Sequence, residues 1–293
     1  MTSAGRFAPS PSGELHVGNL RTAILAWLFA RSTGRRFLMR VEDLDRARAG
    51  AEAEQLRDLA AIGVTWDGGI VRQTDREHLY AEAIAQLTAA GLTYECFCTR
   101  REIQEAPSAP HAPLGAYPGT CRNLNDAERD ARRAARPAAV RLRAAVAETT
   151  VRDVLHGDYT GVVDDFVLRR NDGVTAYNLA VVVDDAVQGI DQVVRGVDLL
   201  PSTPRQAYLA SLLNMPVPEY AHVPLVLNSD GARLAKRDGA VTLADLARAG
   251  VGADEVRDTL LASLGLPSGP LADALAVFDP AALPREPWVW PGA

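Results

Sequence analysis

The chain has 293 residues, of which 47% are apolar and 23% are charged, values typical of a globular protein with a sizeable core. The net charge of −6 and the pI of about 5.4 argue against broad, non-specific nucleic-acid binding. A local basic face on such a protein can still bind RNA. No stretch is long and apolar enough to span a bilayer and no secretory signal is visible, so we expect a cytoplasmic protein without a membrane partner.

The first part of the chain predicts a strand–helix–strand unit. Apolar side chains recur at helical spacing over residues 20–33, and FLMRV at 37–41 has the composition of a buried strand. Thr74 and Glu77 form a capping-box pattern ahead of a second helix, which is expected to end at Gly91. This alternation is typical of a Rossmann-like parallel sheet, so the predicted fold class is α/β.

The pattern changes after residue 92, and we interpret the chain as two halves of a sheet separated by an insertion. The predicted ranges are 1–92 for the first half, 93–175 for the insertion, 176–222 for the second half and 223–293 for a short, mostly helical region. Inside the insertion, an arginine-rich segment is equally compatible with an RNA-binding face and with a solvated helix. Its arginines are Arg129, Arg132, Arg133, Arg136, Arg141 and Arg143.

The later part of the chain gives two further local predictions. QVVRG at 192–196 is expected to be a strand, and Thr242 with Asp245 is expected to cap a new helix. Helical patterning continues to about Leu264, after which the tail is rich in proline and loosely patterned.

Two short stretches carry the chemistry. His16, Gly18 and Asn19 fall at the start of the first predicted helix, where unpaired N–H groups and the helix dipole attract phosphate. Much later, RLAKR at 233–237 forms a cationic loop that contains Lys236. A phosphate cradle and a distant lysine suit attack on a nucleotide's α-phosphate, with stabilisation of the departing pyrophosphate. Either stretch alone more often belongs to ordinary surface structure, so the interpretation depends on their combination.

The wider sequence resembles the class I aminoacyl-tRNA synthetases of the glutamate type. The resemblance runs from Arg6 to about Leu243 and is carried by FAPSPSGELHVGNLRTA at 7–23, VEDLD at 41–45 and the basic loop. HVGN stands where the class signature reads HIGH, and RLAKR stands where it reads KMSKS. The resemblance implies ATP, accompanied by Mg²⁺, as a substrate. It also implies that the region 223–293, which includes the KMSKS-like basic loop, contacts a tRNA stem. It assigns catalytic roles to His16, Gly18, Asn19 and Lys236, of which His16, Gly18 and Lys236 also bind ATP.

Glutamate carries two carboxylates and one ammonium, so its pocket needs about two cations and one anion. Arginine binds carboxylates in a bidentate manner, an anionic side chain can hold the ammonium, and a tyrosine hydroxyl can donate or accept. The sequence leaves open which arginine receives the side-chain carboxylate. By resemblance, the L-glutamate site consists of Arg6, Phe7, Ala8, Pro9, Ser10, Glu42, Tyr177 and Arg195.

All three cysteines, Cys96, Cys98 and Cys121, fall within one short window. An odd number in a cytosolic chain disfavours a disulfide framework, and the spacing alone leaves a metal site and free thiols about equally favoured. His111 is one candidate fourth ligand. The pattern Cys-x-Cys with Tyr117 four residues before the last cysteine resembles the zinc site of the glutamyl-queuosine tRNA(Asp) synthetases. That resemblance implies one structural Zn²⁺ held by the three cysteines and Tyr117.

The same subfamily is short, because it resembles a glutamyl-tRNA synthetase catalytic core without an anticodon-reading domain. The resemblance implies activation of L-glutamate without tRNA and transfer to the queuosine base in the anticodon of tRNA(Asp), by an enzyme expected to be a monomer. Three alternatives remain at this point: a truncated glutamyl-tRNA synthetase that charges a 3′ end, a nucleotidylyltransferase, and a zinc-stapled tRNA-binding module that has lost catalysis.

Overall fold

The computed structural model describes residues 3–45, 47–105, 117–232, 234 and 241–291. In chain order its strands are β1 (Ala4–Phe7), β2 (Arg36–Val41), β3 (Val71–Arg72), β4 (Thr93–Cys96), β5 (Ala139–Leu142), β6 (Glu148–Asp153), β7 (Gly157–Val162), β8 (Val167–Arg169), β9 (Ile190–Gly196), β10 (Glu219–Val223), β11 (Val226–Leu227) and β12 (Trp288–Val289). Its α-helices are α1 (Val17–Ser32), α2 (Ala51–Ala61), α3 (Glu77–Ala89), α4 (Arg100–Glu105), α5 (Asp126–Ala135), α6 (Tyr177–Gln188), α7 (Thr203–Leu212), α8 (Leu243–Arg248), α9 (Ala253–Ala262) and α10 (Leu271–Ala276). Short 3-10 helices cover Gln73–Arg76, Val197–Ser202 and Pro280–Ala282.

The largest sheet has seven strands in the order β3-β2-β1-β9-β10-β6-β7. Every neighbouring pair in it is parallel except the β6–β7 hairpin. The chain leaves β1 toward β2 on one side and later adds β9 on the other side. In a parallel α/β sheet, ligands bind at the carboxyl ends of the strands where the strand order diverges in this way. The predicted α/β class with a mostly parallel sheet is confirmed.

Helix α1 forms where the sequence predicts a helix and packs on the sheet beside this crevice. Eleven of its residues are buried, and the left-handed Gly34 (φ +69°) follows its C-cap. The helix lies very close to β1, because a Cβ added at Gly5 would come 2.9 Å from the Cβ of Ala30. Glycine at this position therefore lets the C-terminal part of α1 approach the sheet closely.

The predicted capping box at Thr74 and Glu77 is wrong. Thr74 lies inside a 3-10 helix, and α3 begins at Glu77 after Arg76 without any side-chain cap. The Thr74 hydroxyl instead donates to Asp43 Oδ2 at 2.6 Å, while its backbone N–H donates to Asp43 Oδ1 at 3.0 Å. Asp43, in the loop after β2, thus accepts hydrogen bonds from both Thr74 groups. The Thr74 hydroxyl is therefore not available to cap α3.

The range 93–175 contributes to two sheets. Strands β4, β5 and β8 form a small antiparallel sheet. The hairpin β6–β7 from the same range joins the large sheet, where Asp153 pairs with Tyr220 of β10. The domain boundaries predicted from the sequence remain predictions, since the sheet pairing links the insertion to the second half.

The C-terminal region begins as predicted, with a capping box between Thr242 and Asp245 at the start of α8. Beyond Leu264 it is more ordered than its composition suggests. Helix α10 packs near α1, and β12 pairs in parallel with β11. Parallel pairing between distant segments leaves no local sequence signal, so it was not predicted.

A buried arginine of α1 connects this helix to the C-terminal region. Arg21 of α1 is 1% exposed, and burial lowers its pKa to about 10. It donates to the Pro224 carbonyl at 3.1 Å and to the Ser263 hydroxyl at 2.9 Å, and it lies over the ring of Trp288. Helix α1 and the segment leading into the basic loop are thereby held together. Within the residues that the structure describes, no helix has both the length and the apolar character needed to cross a bilayer.

Candidate active site

A cleft of about 750 Å³ opens at the carboxyl ends of β1, β2 and β9. It brings together every predicted site residue outside the cysteine cluster that the structure describes. Those lining residues are Arg6, Phe7, Ala8, Pro9, Ser10, His16, Gly18, Asn19, Glu42, Tyr177 and Arg195. Lys236, predicted to act on the phosphates, lies outside the described residues, as do Arg233, Ala235 and Arg237 of the same loop.

His16 is the N-cap of α1. Its ring Nδ1 accepts hydrogen bonds from the backbone N–H of Gly18 at 3.1 Å and of Asn19 at 3.3 Å. The side chain of Asn19 closes a capping box, because its Oδ1 accepts from the His16 N–H at 3.2 Å. Since Nδ1 is an acceptor, neutral His16 carries its proton on Nε2, which is the donor that a phosphate oxygen needs.

This geometry differs from the open phosphate cradle expected from the sequence. The N–H groups of Gly18 and Asn19 already have an acceptor in the His16 ring, and the Val17 N–H donates to the Val241 carbonyl at 3.0 Å. The helix dipole still favours an anion at this end. A phosphate bound at this end would therefore contact side chains more than backbone amides.

Gly18 lies directly against the His16 ring, where there is little room for a side chain. A Cβ at position 18 would lie 3.0 Å from both Nδ1 and Cε1 of His16, and 3.4 Å from the Cβ of Val226. A larger residue at this position would push the ring away from the first turn by a few tenths of an ångström.

Both ends of the segment that contains Lys236 are anchored at the cleft. Leu234, 2% exposed, lines the cleft before it. After it, the Val241 carbonyl accepts from Val17, and Thr242 forms a β-bridge with His16. The described residues on either side of Lys236 therefore lie next to the N-terminus of α1.

A buried charge network holds Arg6. Its Nε and Nη2 donate to the two carboxylate oxygens of Asp185 at 3.2 and 3.4 Å. Arg40, fully buried in β2, donates to Asp185 at 2.8 Å and lies 3.4 Å from Glu42. Burial would raise the pKa of Asp185, but the charges and hydrogen bonds of Arg6 and Arg40 outweigh it and lower that pKa.

Glu42 has the opposite shift. Burial raises its pKa above the ordinary value, although Arg40 and Arg6 pull the other way. A substrate ammonium beside Glu42 would favour its ionised form, so binding of the ammonium and ionisation of Glu42 support each other.

Arg40, Asp184 and Asp185 are functional candidates that the sequence reasoning missed. A signal was present, because an arginine inside the apolar strand FLMRV and two aspartates inside the apolar helix segment VVVDDAV are unusual. Charged residues in such settings are normally paired, and here Arg40 of β2 pairs with the two aspartates of α6.

Arg195 is held differently from Arg6. Its Nε donates to His222 at 3.0 Å, its Nη2 to the Thr203 hydroxyl at 2.8 Å and its Nη1 to the Tyr177 hydroxyl at 3.4 Å. Tyr177 begins α6 and exposes 40% of its surface at the cleft. The two arginines therefore face one cleft, one neutralised by a carboxylate and the other held by neutral acceptors.

Asp58 on α2 gives a pH-dependent prediction. Burial, together with the charges of Glu14 and Glu54, raises its pKa from 3.8 to about 6. Because the folded state binds the proton more tightly, stability falls as pH rises from 3.8 to 6, and the cost is fully present at pH 7. We expect Asp58→Asn to raise the free energy of unfolding by about 1 kcal/mol at pH 7, after allowance for solvent screening.

Urea titrations of Asp58→Asn at pH 4 and pH 7 measure this difference. Asp158→Asn, which changes an exposed carboxyl on β7, is the matched control and should have little effect at either pH. A gain of equal size at both values of pH would contradict the electrostatic explanation.

The three cysteines converge in a second place, beside the small antiparallel sheet. Their sulfur atoms all lie within 4.8 Å of one another, and Cys98 Sγ is 3.6 Å from Cys121 Sγ. The Tyr117 hydroxyl lies 3.3 Å from Cys96 Sγ and 3.9 Å from Cys98 Sγ. The four predicted ligands are thus adjacent, while His111 lies outside the described residues.

The arginine-rich segment is largely paired within the protein. Arg133 and Arg136 contact Glu95 and Glu102. Arg141 is buried with its guanidinium 3.7 Å from the centre of the Tyr117 ring, and Arg143 stacks on Tyr94. Helix α5, which carries the first three arginines of the segment, has no buried residue. These contacts favour a structural role for much of the segment, and an RNA-binding face stays a prediction.

The fold and cleft agree with comparisons to known proteins. The model for the catalytic domain of class I tRNA synthetases (E and Q) matches residues 4–266. A crystal structure of a glutamate tRNA ligase from Elizabethkingia meningosepticum, in complex with its amino acid, matches with a TM-score of 0.82 at 26% identity. The match covers 98% of this chain and 66% of that chain, so this chain spans about two thirds of that ligase.

Curated relatives place the chain more closely. A glutamyl-Q tRNA(Asp) synthetase from Nocardia farcinica is 69% identical over 98% of this chain and 92% of its own length. Another of that name, from Cutibacterium acnes, is 54% identical over 90% of this chain and 77% of its own. The chain therefore belongs to the class I tRNA synthetases (E and Q), within the glutamyl-Q tRNA(Asp) synthetases, and is an aminoacyl-tRNA synthetase-like ligase. The resemblance found in the sequence is confirmed.

Proposed function

We propose that the protein activates L-glutamate with ATP to glutamyl-adenylate without tRNA, and then transfers glutamate to the queuosine base of tRNA(Asp). The observation that carries the first step is the convergence of Arg6, Glu42, Tyr177 and Arg195 in one cleft beside the His16-capped helix. The names of the relatives, at up to 69% identity, support the second step.

In this proposal the cleft matches the charges of glutamate. Arg6 and Arg195 each receive a carboxylate, and Glu42 accepts from the ammonium. An oxygen of the α-carboxylate attacks the α-phosphorus of ATP, and the bond to the β-phosphate oxygen breaks, so pyrophosphate leaves. His16 Nε2–H and Lys236 stabilise the charge that develops on the phosphates. Mg²⁺ bound with ATP supplies further neutralisation of the triphosphate.

Activation should be specific for glutamate. A neutral amide in place of the side-chain carboxylate leaves a buried arginine without its anion, and aspartate is one methylene too short to span the two arginines. We expect ATP–pyrophosphate exchange without tRNA to prefer glutamate over glutamine by at least about 2 kcal/mol, roughly thirtyfold in kcat/KM.

The exchange assay with glutamate, glutamine and aspartate measures this preference. Arg195→Lys provides a variant test, because lysine keeps the charge but not the two parallel N–H groups that bind a carboxylate. Arg35→Lys, just before β2 and paired with Asp191, is its matched control because Arg35 does not line the cleft. Exchange supported equally by glutamine would show that the cleft does not select glutamate.

We further propose that Cys96, Cys98, Tyr117 and Cys121 hold one structural Zn²⁺. Tetrahedral zinc with Zn–S bonds of about 2.3 Å places its sulfur ligands roughly 3.8 Å apart, close to the 3.6 Å between Cys98 and Cys121. Arg132 lies 3.6 Å from Cys121 Sγ and Arg141 covers the Tyr117 ring, so two cations offset the negative charge of the ligands. Four protein ligands leave no open position, which suits a structural role.

Purified protein should contain about one zinc per chain by elemental analysis. We expect Cys98→Ser to release the metal and Tyr117→Phe to weaken its retention against a chelator. Tyr94→Phe is the matched control, because Tyr94 belongs to the same buried cluster but donates to Asp165 rather than to a thiol. Metal-free protein prepared without chelators would favour three free thiols instead.

A further inference from the structure

Behind Arg195, three side chains form a hydrogen-bonded chain across three strands. Arg195 of β9 and the buried His222 of β10 are register partners, and Asp153 ends the next strand, β6. Arg195 Nε donates to His222 Nε2 at 3.0 Å, and His222 Nδ1 lies 2.6 Å from Asp153 Oδ2. The relay leads from the cleft to the β6–β7 hairpin and plays no part in the binding chemistry described above.

The relay fixes the tautomer of His222. Arginine is only a donor, so the Nε2 atom that faces it must accept, and the ring proton must lie on Nδ1 and point to Asp153. Asp153 in turn accepts from four N–H groups: His222 Nδ1, and the backbone N–H groups of His222 (3.0 Å), Leu155 (2.8 Å) and His156 (3.0 Å). Its orientation is therefore held by the backbone of two segments.

The charges are consistent with this arrangement. Burial lowers the pKa of His222, although the hydrogen bond to Asp153 opposes the shift. Burial would raise the pKa of Asp153, but its hydrogen bonds to His222 and to backbone N–H groups outweigh it and lower that pKa. A neutral ring beside an ionised carboxylate keeps Nε2 available as an acceptor for Arg195.

The contacts of Arg195 hold one edge of its guanidinium closely, while Nη1 makes a longer contact to the Tyr177 hydroxyl at 3.4 Å. The Nε–Nη2 edge is held by His222 and by Thr203, whose hydroxyl is itself 3.1 Å from His222 Nε2. In the part of the chain that the structure describes, Arg195 donates to the neutral groups His222, Thr203 and Tyr177, whereas Arg6 has the carboxylate of Asp185 on the same edge. Among the described residues, no carboxylate offsets the charge of Arg195, and its hydrogen bonds restrict its rotation.

We propose that Asp153 and His222 are positioning residues that orient the guanidinium of Arg195 for a substrate carboxylate. This inference deepens the proposed function and rests on glutamate as the ligand of the cleft. If it is correct, loss of the Nε2 acceptor frees Arg195 to rotate and weakens glutamate binding, while the ATP side of the cleft is unaffected.

The test compares His222→Leu, which removes the acceptor, with His222→Gln, whose amide oxygen can take the place of Nε2. In pyrophosphate exchange by the full chain, we expect His222→Leu to raise KM for glutamate by roughly tenfold or more and KM for ATP by less than about threefold. His222→Gln should recover most of the loss. His156→Gln is the matched control, because the His156 ring contacts the carbonyl of His222 and not Arg195, and its backbone N–H, which donates to Asp153, is kept in the variant.

A second measurement does not depend on activity. Nitrogen-15 NMR of the imidazole ring, assigned with His222→Gln, should show a proton on Nδ1 and none on Nε2 at neutral pH. In Asp153→Asn, an amide that donates to Nδ1 should move the proton to Nε2, against Arg195, and KM for glutamate should rise as in His222→Leu. A wild-type ring protonated on Nε2 would overturn the inference.

Equal increases in both KM values for His222→Leu, or a glutamine variant no better than leucine, would also overturn it. Failure of the proposed function has a separate signature. Wild-type protein would then show no glutamate-dependent exchange, and the NMR experiment would still decide whether His222 accepts from Arg195.

Discussion

Lys236→Ala is expected to lower the rate of glutamate-dependent pyrophosphate exchange by roughly 100- to 1,000-fold, the size of loss typical when a positioned charge at a developing anion is removed. The residues that flank the segment containing Lys236 support this expectation. Leu234 is packed into the cleft, and Val241 and Thr242 are bonded to Val17 and His16 at the start of α1. Both anchors lie at the end of the cleft where we propose that the phosphates bind.

The loss should appear in kcat more than in KM for glutamate, because the lysine acts on charge that develops at the phosphates and not on the amino acid. Arg248→Ala is the matched control, since this exposed cation on α8 pairs with Asp245 on its own helix and lies away from the cleft lining. Near wild-type exchange by Lys236→Ala would transfer the role to Arg233 or Arg237.

The parts of the site that could be predicted are those set by local sequence. His16 lies at the helix start because its ring caps N–H groups two and three residues away, and Asn19 completes the box within the same turn. The same holds for Thr242 and Asp245. The periodicity that places α1 against a strand is also local, so the Rossmann-like class followed from it.

The parts that escaped prediction are set by contacts between distant segments. Asp185 neutralises Arg6 from 179 positions away, and nothing near either residue indicates the partner. The failed cap at Thr74 has the same cause, because Asp43 from another loop takes its hydroxyl. The N–H groups expected to hold phosphate do lie at the helix start, but a local exception follows there: the rotamer that turns the His16 ring onto them has no signal in the sequence.

Transfer should depend wholly on the modified base. We expect radiolabelled glutamate to attach to tRNA(Asp) that contains queuosine and not to the unmodified transcript of the same sequence. The proposed acceptor is a hydroxyl on the cyclopentene ring of queuosine, and this hydroxyl attacks the carbonyl of glutamyl-adenylate and displaces AMP. An unmodified guanine at that position lacks the ring and its hydroxyl, so the nucleophile is missing rather than weakened.

The same experiment separates this activity from charging of a 3′ end. A base in an unpaired loop can be turned out and bound by its edges and ring, which is how proteins commonly recognise single-stranded RNA. Glutamate on such a base should survive enzymatic removal of the 3′-terminal adenosine, and tRNA shortened in advance should still accept it. Pyrophosphate exchange without tRNA serves as the control that activation is intact in every sample. If the label left with the terminal adenosine, the protein would act as a glutamyl-tRNA synthetase, and the cleft described above would serve the 3′ end instead.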